Sequence, residues 1–151
     1  MKLNRKTLLL TPLVVLIILL IFRPEVRTDI PTLTFDNGAS VFIEIADTEK
    51  ERRQGLSERV SLSVGYGLLF IHETRETPSY WMKDMFFPID IIWIDDGEVI
   101  GLTQNAEPEN PARTFYTPPS PVTHVLEVNA GFIEQRGISV GNTIDIKVPN
   151  E

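Results

Sequence analysis

The chain has 151 residues, 42% hydrophobic and 23% charged, the composition of an ordinary one-domain globular protein. Its 14 basic and 21 acidic residues give a net charge of −7, and from Thr28 onward nine basic residues face twenty acidic ones, a balance of −11. That surplus repels phosphate backbones and argues against nucleic-acid binding. Cysteine is absent, which excludes disulfides, thiolate metal sites, a cysteine nucleophile and a lipid-modified N-terminal cysteine.

Residues 1–6 form a basic start with Lys2, Arg5 and Lys6. Residues 7–22 follow as an uncharged apolar run of 16 residues, about 24 Å as a helix. That is a little short of a hydrocarbon core of ~30 Å, a gap that snorkelling of Lys6 and Arg23 closes. The run reads as a transmembrane anchor, so the membrane is a partner through residues 7–22. A cleaved secretory signal is the competing reading, with a secreted domain as its consequence. The basic start and apolar core fit it, but residues 22–31 hold no Ala-x-Ala-like triplet. Three Lys and Arg before the run against two after it direct the N-terminus inward and the domain outside the cytoplasm. Residues 23–31, with two prolines and four charges, read as an exposed linker.

Residues 32–149 read as one β-rich domain. Period-two runs predict strands over 32–35, 40–46, 67–71, 79–82, 89–94, 98–103, 124–128 and 143–148. Asp36-Asn-Gly38 and Asp95-Asp-Gly97 predict tight hairpins. Thr48 with Glu51 has the capping-box form and starts a short helix ending near Gly55. Asn129 is placed to cap a second helix over 130–136, closed by Gly137. Residues 105–121 contain five prolines and predict an irregular loop. About eight short strands and two short helices point to an all-β fold, a compact sandwich or barrel-like domain.

Six blocks in order carry a family resemblance: Glu51-Arg-Arg-Gln-Gly-Leu56, Gly67-Leu-Leu-Phe70, Tyr80-Trp-Met-Lys-Asp84, Pro88-Ile-Asp-Ile-Ile92, Val125-Leu-Glu-Val-Asn-Ala-Gly131 and Gly137-Ile-Ser-Val-Gly-Asn142. Together they resemble the bacterial and archaeal family catalogued as domain of unknown function 192. The resemblance covers about Leu33 to Val148 and implies a compact, largely β fold, often behind a signal or anchor. It brings no activity with it. Four positions depart from the family's pattern: Ser57 stands for Met, Asp84 for Asn, Met85 for Thr and Asn142 for Asp. A chemical role for that Asn-Thr pair would be missing here.

The chemistry-bearing residues are few. His72 and His124 lie far apart and no His-x-x-x-His spacing occurs, so neither a metal nor another cofactor is expected. No Gly-x-Ser-x-Gly elbow and no phosphate loop is present. Carboxylates within apolar strands are the stronger signal. Asp90 shares a strand face with Ile92 and Ile94, and Glu127 alternates with Leu126 and Val128. A carboxylate among apolar neighbours must be paired or hydrogen-bonded, or its pKa rises.

Arg53 on the first helix can grip a ligand carboxylate or sugar, or cross to one of these acids. Trp81 offers a stacking face, and Lys83 and Asp84 sit at a strand end. The leading expectation is a module binding a small-molecule or cell-envelope ligand, with a mouth lined by Arg53, Trp81, Lys83, Asp84, Asp90 and Glu127. Two rivals stand beside it: an envelope or carbohydrate-active enzyme using Asp90 and Glu127 as acid and base, and a structural or protein-interaction domain.

Overall fold

The computed structural model describes residues 30–108 and 114–149. The expected anchor at residues 7–22 and most of the linker lie outside them; among the described residues no helix is long and apolar enough to cross a membrane. The domain is mostly β with two short helices. In chain order the elements are β1 (Thr32–Phe35), β2 (Ser40–Ala46), α1 (Glu49–Gln54), β3 (Tyr66–Glu76), β4 (Tyr80–Trp81), β5 (Ile89–Asp95), β6 (Glu98–Ala106), β7 (Phe115–Tyr116), β8 (Val122–Asn129), α2 (Phe132–Arg136) and β9 (Ile144–Lys147).

Seven strands form one sheet in the order β6-β5-β8-β3-β2-β1-β9. The sheet curls until its two edges touch. Glu98 at the start of β6 bridges Thr143 beside β9, supported by Val99 N to Asn142 O at 2.9 Å and Ile144 N to Gly97 O at 2.9 Å. The result is a half-barrel, closed at one corner, and not two stacked sheets. One pair, β2 with β3, is parallel. A parallel neighbour demands a crossover connection, and α1 with residues 55–65 supplies it.

Side-chain alternation gives the sheet two apolar faces. The inner face gathers Leu33, Phe35, Val41, Ile43, Leu69, Ile92, Ile94, Val99, Leu126 and Val128, sealed by Ile133 and Ile138 around α2. The outer face of β3, β8, β5 and β6 carries Leu68, Phe70, Ile89, Ile91, Trp93 and Val125. Leu56 and Leu62 after α1, Tyr80 on β4, and Met82 and Met85 beyond it cover that face. Burial on both faces explains why β5 reads as a near-continuous apolar run and not as a clean alternation.

Turn chemistry follows from the same strands. Asp96 and Gly97 both take positive φ, 49° and 79°, as a two-residue turn between Asp95 and Glu98 requires. In the β1–β2 turn only Gly38 does so, at 86°. Asn37 instead uses its side chain, donating to the carbonyls of Arg136 at 3.1 Å and Gly137 at 3.0 Å, so the turn holds the end of α2. The Thr48–Glu51 capping box forms as the sequence implies.

Four expectations are corrected. β3 runs to Glu76, β6 to Ala106, and the proline-rich segment contributes β7, which pairs with β4 through Tyr80–Tyr116 and Trp81–Phe115. The second helix starts at Phe132 after a left-handed Gly131 that offers no side-chain cap. Asn129 donates to Leu62 O at 3.0 Å instead.

At Gly101 a β-carbon would lie 2.8 Å from Pro119 Cδ and 3.1 Å from Trp93 Cδ1. A ring and a strand cannot both yield, so Gly101→Ala is expected to destabilise the domain by about 1–3 kcal/mol, measured by urea unfolding. A variant with wild-type stability would show that Pro119 is free to move off the strand.

Candidate functional site

The pairing of β5 with β8 decides where the two buried carboxylates go. Asp90 stands opposite Val128 and Ile91 opposite Glu127. Directly paired residues share a face, so Asp90 belongs to the inner face and Glu127 to the outer. They cannot act as acid and base on one substrate, and the expected Asp90–Glu127 pair is withdrawn.

Asp90 is wholly buried. Its Oδ1 accepts the Asn105 N–H and its Oδ2 the Ile133 N–H, each at 2.9 Å. Ile133 is the second residue of α2, so Asp90 supplies the cap that Gly131 lacks. Asn105 has φ 51°, and the carboxylate holds that left-handed kink in β6. Asp90 is therefore a structural tie between β5, β6 and α2 and belongs to no binding mouth.

Glu127 faces the other way, onto the floor of a cleft of about 600 Å³. Phe70 and His72 of β3 and Ile89 of β5 share that floor; α1 forms one wall, and Tyr80, Trp81, Met82 and Met85 the other. Glu127 is 6% exposed. Among the described residues no group hydrogen-bonds to its carboxylate or forms an ion pair with it. Burial pushes the carboxyl up from 4.5 to about 8, and the Arg59 charge pulls it back only in part. Arg59 is committed elsewhere: its Nη1 and Nη2 meet Glu44 Oε1 and Oε2, both at 2.9 Å.

The remaining candidate residues divide. Arg53 lines the cleft from its rim, exposed and paired with Glu49 at 2.7 Å. Trp81 lines it too, stacked on Phe115 with ring centroids 5.8 Å apart. Lys83 and Asp84 lie outside the cleft. Lys83 Nζ is 3.7 Å from Asp84 Oδ2 and 5.7 Å from the Trp81 ring centroid. Their backbone carbonyls hold the segment after α1, Lys83 O accepting from Ser57 Oγ at 2.9 Å and Asp84 O from Glu58 N at 2.8 Å. Ser57, Asp84 and Met85, three departures from the family pattern, thus have structural work here: a tie, a positive-φ turn at 54° and a buried side chain.

The mouth expected from the sequence left out His72, Glu76, Tyr80 and Arg52, although Tyr80 with Trp81, Trp93 and Phe86 offers stacking rings and His72 was weighed only as a metal ligand. His72 Nδ1 lies 2.5 Å from Glu76 Oε1, out of line for a hydrogen bond from the ring. In a straight strand residues four apart are separated by roughly 13 Å. They meet because β3 bulges: Ile71 opposes His124 but Glu76 already opposes Val122. The Tyr80 hydroxyl is 3.4 Å from His72 Nε2. Burial, then the charges of Glu127 and Glu76, hold the Tyr80 phenol well above its usual range against the opposing Arg52. Arg52 Nη1 donates to the carbonyls of Asp47 and Ile71, the latter at 2.9 Å, and locks α1 to β3. The alternation Leu68, Phe70, His72 was the available signal for His72; the bulge had none. Among the described residues no group of three or more His, Asp or Glu is placed to hold a metal ion.

The sequence profile of the family DUF192, described as Uncharacterized ACR, matches residues 32–146. A crystal structure of a protein of unknown function from Novosphingobium aromaticivorans DSM 12444 is similar at 29% identity and TM-score 0.70, covering 77% of this chain and 83% of that one. A second, from Sinorhizobium meliloti 1021 and described as a candidate transcription regulator, is similar at 28% identity and TM-score 0.69, covering 77% and 91%. Among the curated proteins none matches the chain.

Two substitutions separate the carboxylates. Asp90→Ala strands two buried N–H groups and should cost about 3–5 kcal/mol in chemical unfolding, with Asp90→Asn costing less; a loss under about 1 kcal/mol would remove the capping role. Glu127 acts in the opposite sense. Its carboxyl titrates near 8 when folded and near 4.5 when exposed. Between those values the folded chain holds a proton that the unfolded chain has lost. Its contribution is therefore fully present below pH ~4.5 and declines as pH rises towards 8, by up to about 1.4 kcal/mol per pH unit. Glu127→Gln should flatten that slope and unfold at higher urea than wild type at pH 8. Parallel pH profiles for the two proteins would contradict it.

Proposed function

The chain belongs to the DUF192 family, and we propose that its domain is a binding module for a small-molecule or cell-envelope ligand, held in the cleft above Glu127. One observation carries the reading: a buried carboxylate with no partner among the described residues, opening into a cleft of about 600 Å³. Folding gains nothing from an unpaired buried acid, whereas a ligand that hydrogen-bonds to it would relieve its desolvation. The volume falls in the range of small-molecule sites, and apolar walls with a few convergent polar groups are their usual make-up. Arg53, Trp81 and Glu127 remain from the residues first singled out, joined by Arg52, His72 and Tyr80.

A panel of envelope sugars, peptides, amines and carboxylates tests this by thermal shift. At least one class should raise the melting temperature of the wild type by several degrees. Gln54→Trp, at an exposed position that lines the mouth and donates to Ser57 O at 3.1 Å, should reduce the shift with only a small change in the melting temperature of the free protein. Equal shifts in both proteins would place the ligand elsewhere, and no shift across the panel would leave the reading without support.

We also propose that the domain is tethered to the membrane and works outside the cytoplasm. The basic start, the apolar run at residues 7–22 and the excess of Lys and Arg before it support this. A reporter enzyme that is active only outside the cytoplasm, fused after Glu151, should be active; a silent fusion overturns the orientation.

A further inference from the structure

We infer that the cleft is built for an organic cation, an alkylated ammonium whose charge rests against Glu127 and whose alkyl groups lie against Phe70, Tyr80, Met82 and Met85. The inference rests on the binding reading above and names the ligand's chemical class. Three independent features of the cleft converge on it.

The first is the acid left unpaired at the floor. Glu127 is nine-tenths buried or more and has no partner among the described residues, while each nearby guanidinium is already engaged. Arg59 grips Glu44 through two bonds of 2.9 Å, Arg52 is held by the carbonyls of Asp47 and Ile71, and Arg53 pairs with Glu49 at the rim. None of these described groups is free to serve as counter-ion to the ionised form of Glu127.

The second is the character of the wall. Phe70 and Tyr80 meet edge to face with centroids 5.1 Å apart, and Met82 and Met85, both buried, add thioether sulfur. Aromatic faces attract a cation through their quadrupole, best where water is excluded, and thioethers are polarisable and adaptable. A neutral ligand would use the apolar area and at most hydrogen-bond the protonated carboxyl, gaining nothing from its ionised form.

The third is a second acid in the same lining. Glu76 is brought back into the cleft by the β3 bulge, beside His72 and Tyr80. Two acids and the rings of Phe70 and Tyr80 line that side, with the arginines on α1 and the segment after it held by other partners, which makes that side favourable to positive charge.

Binding has a proton consequence. Glu127 has its carboxyl pushed up to about 8, so at pH 7 most molecules must release a proton to receive the cation. The groups facing it are Arg59 from the segment after α1, Tyr80 from β4, and Leu68 and Ile91 from the flanking strands; His72, Glu76 and Arg52 stand further along the cleft.

Choline and its uncharged carbon isostere 3,3-dimethyl-1-butanol provide the test, with the full chain held in a non-ionic detergent. Choline carries a permanent charge, so any proton released on binding comes from the protein. Calorimetry should show choline binding at least tenfold tighter than the isostere. In two buffers of different ionisation enthalpy at pH 7 it should show proton release. Choline affinity should rise about tenfold from pH 7 to pH 9 and level off there. Glu127→Gln should erase both the preference for charge and the pH dependence, which separates Glu127 from the other titrating groups of the cleft. Proton release is read on the wild type and stands even if that variant folds poorly. Equal binding of the two probes, or choline binding without proton release, overturns the inference. If a neutral or anionic compound from the thermal-shift panel occupies the cleft while choline does not, the cation assignment falls and the binding module survives. If nothing binds, both fall.

Discussion

The antiparallel register of β5 against β8 is the constraint on which the other features depend. Asp90 opposite Val128 and Ile91 opposite Glu127 set the parity of both central strands. Because side chains alternate with a period of two, a slip of one residue would exchange their faces. Asp90 would lose its two backbone amides, and Glu127 would enter the inner core. The inner tie and the outer cleft are thus two consequences of one pairing. Ile92 and Ile94 on the inside and Ile91 and Trp93 on the outside hold that pairing from both faces.

The two carboxylates show opposite solutions to the same cost. An acid taken from water must recover its hydration in hydrogen bonds or charges. Asp90 recovers it from two N–H groups at 2.9 Å and in return fixes α2 and the kink at Asn105. Glu127 recovers little, because Arg59, the one cation acting on it among the described residues, is shared with Glu44 on the sheet's flank. Asp90 is satisfied within the fold and Glu127 is not, and a perturbed acid at the floor of a cleft is a candidate functional group.

The cleft itself is a product of cover, not of the sheet. The outer face of β3, β8 and β5 would be a flat apolar surface without α1, the segment carrying Leu56 and Leu62, and the β4–β7 ribbon. These pieces are short and are held by a few ties each, such as Ser57 to Lys83 O with Glu58 N to Asp84 O, and Arg52 to Ile71 O. They shield Glu127 without sealing it. The bulge in β3 brings Glu76 back beside His72 in the same cleft. Residues that depart from the family pattern fall among these covering and closing contacts; Asn142 donates to Asp36 at 2.8 Å where the half-barrel closes.

Local information settled much of the domain. Alternation located the central strands, Asp-Asn-Gly and Asp-Asp-Gly located the hairpins, Thr48 with Glu51 started α1, and Gly137 ended α2, because each of these signals acts within a few residues of chain. The six ordered blocks were enough to identify the family. Sequence also marked Asp90 and Glu127 as acids out of place among isoleucine, leucine and valine. It could not say that they face apart, that Asp90 is met by amides 15 and 43 residues away, or that Arg59 and not Arg53 is the cation beside Glu127. Those facts depend on strand order, on the register between strands and on a bulge that shortens β3. All three are relations between distant segments, and only the packed tertiary structure decides them.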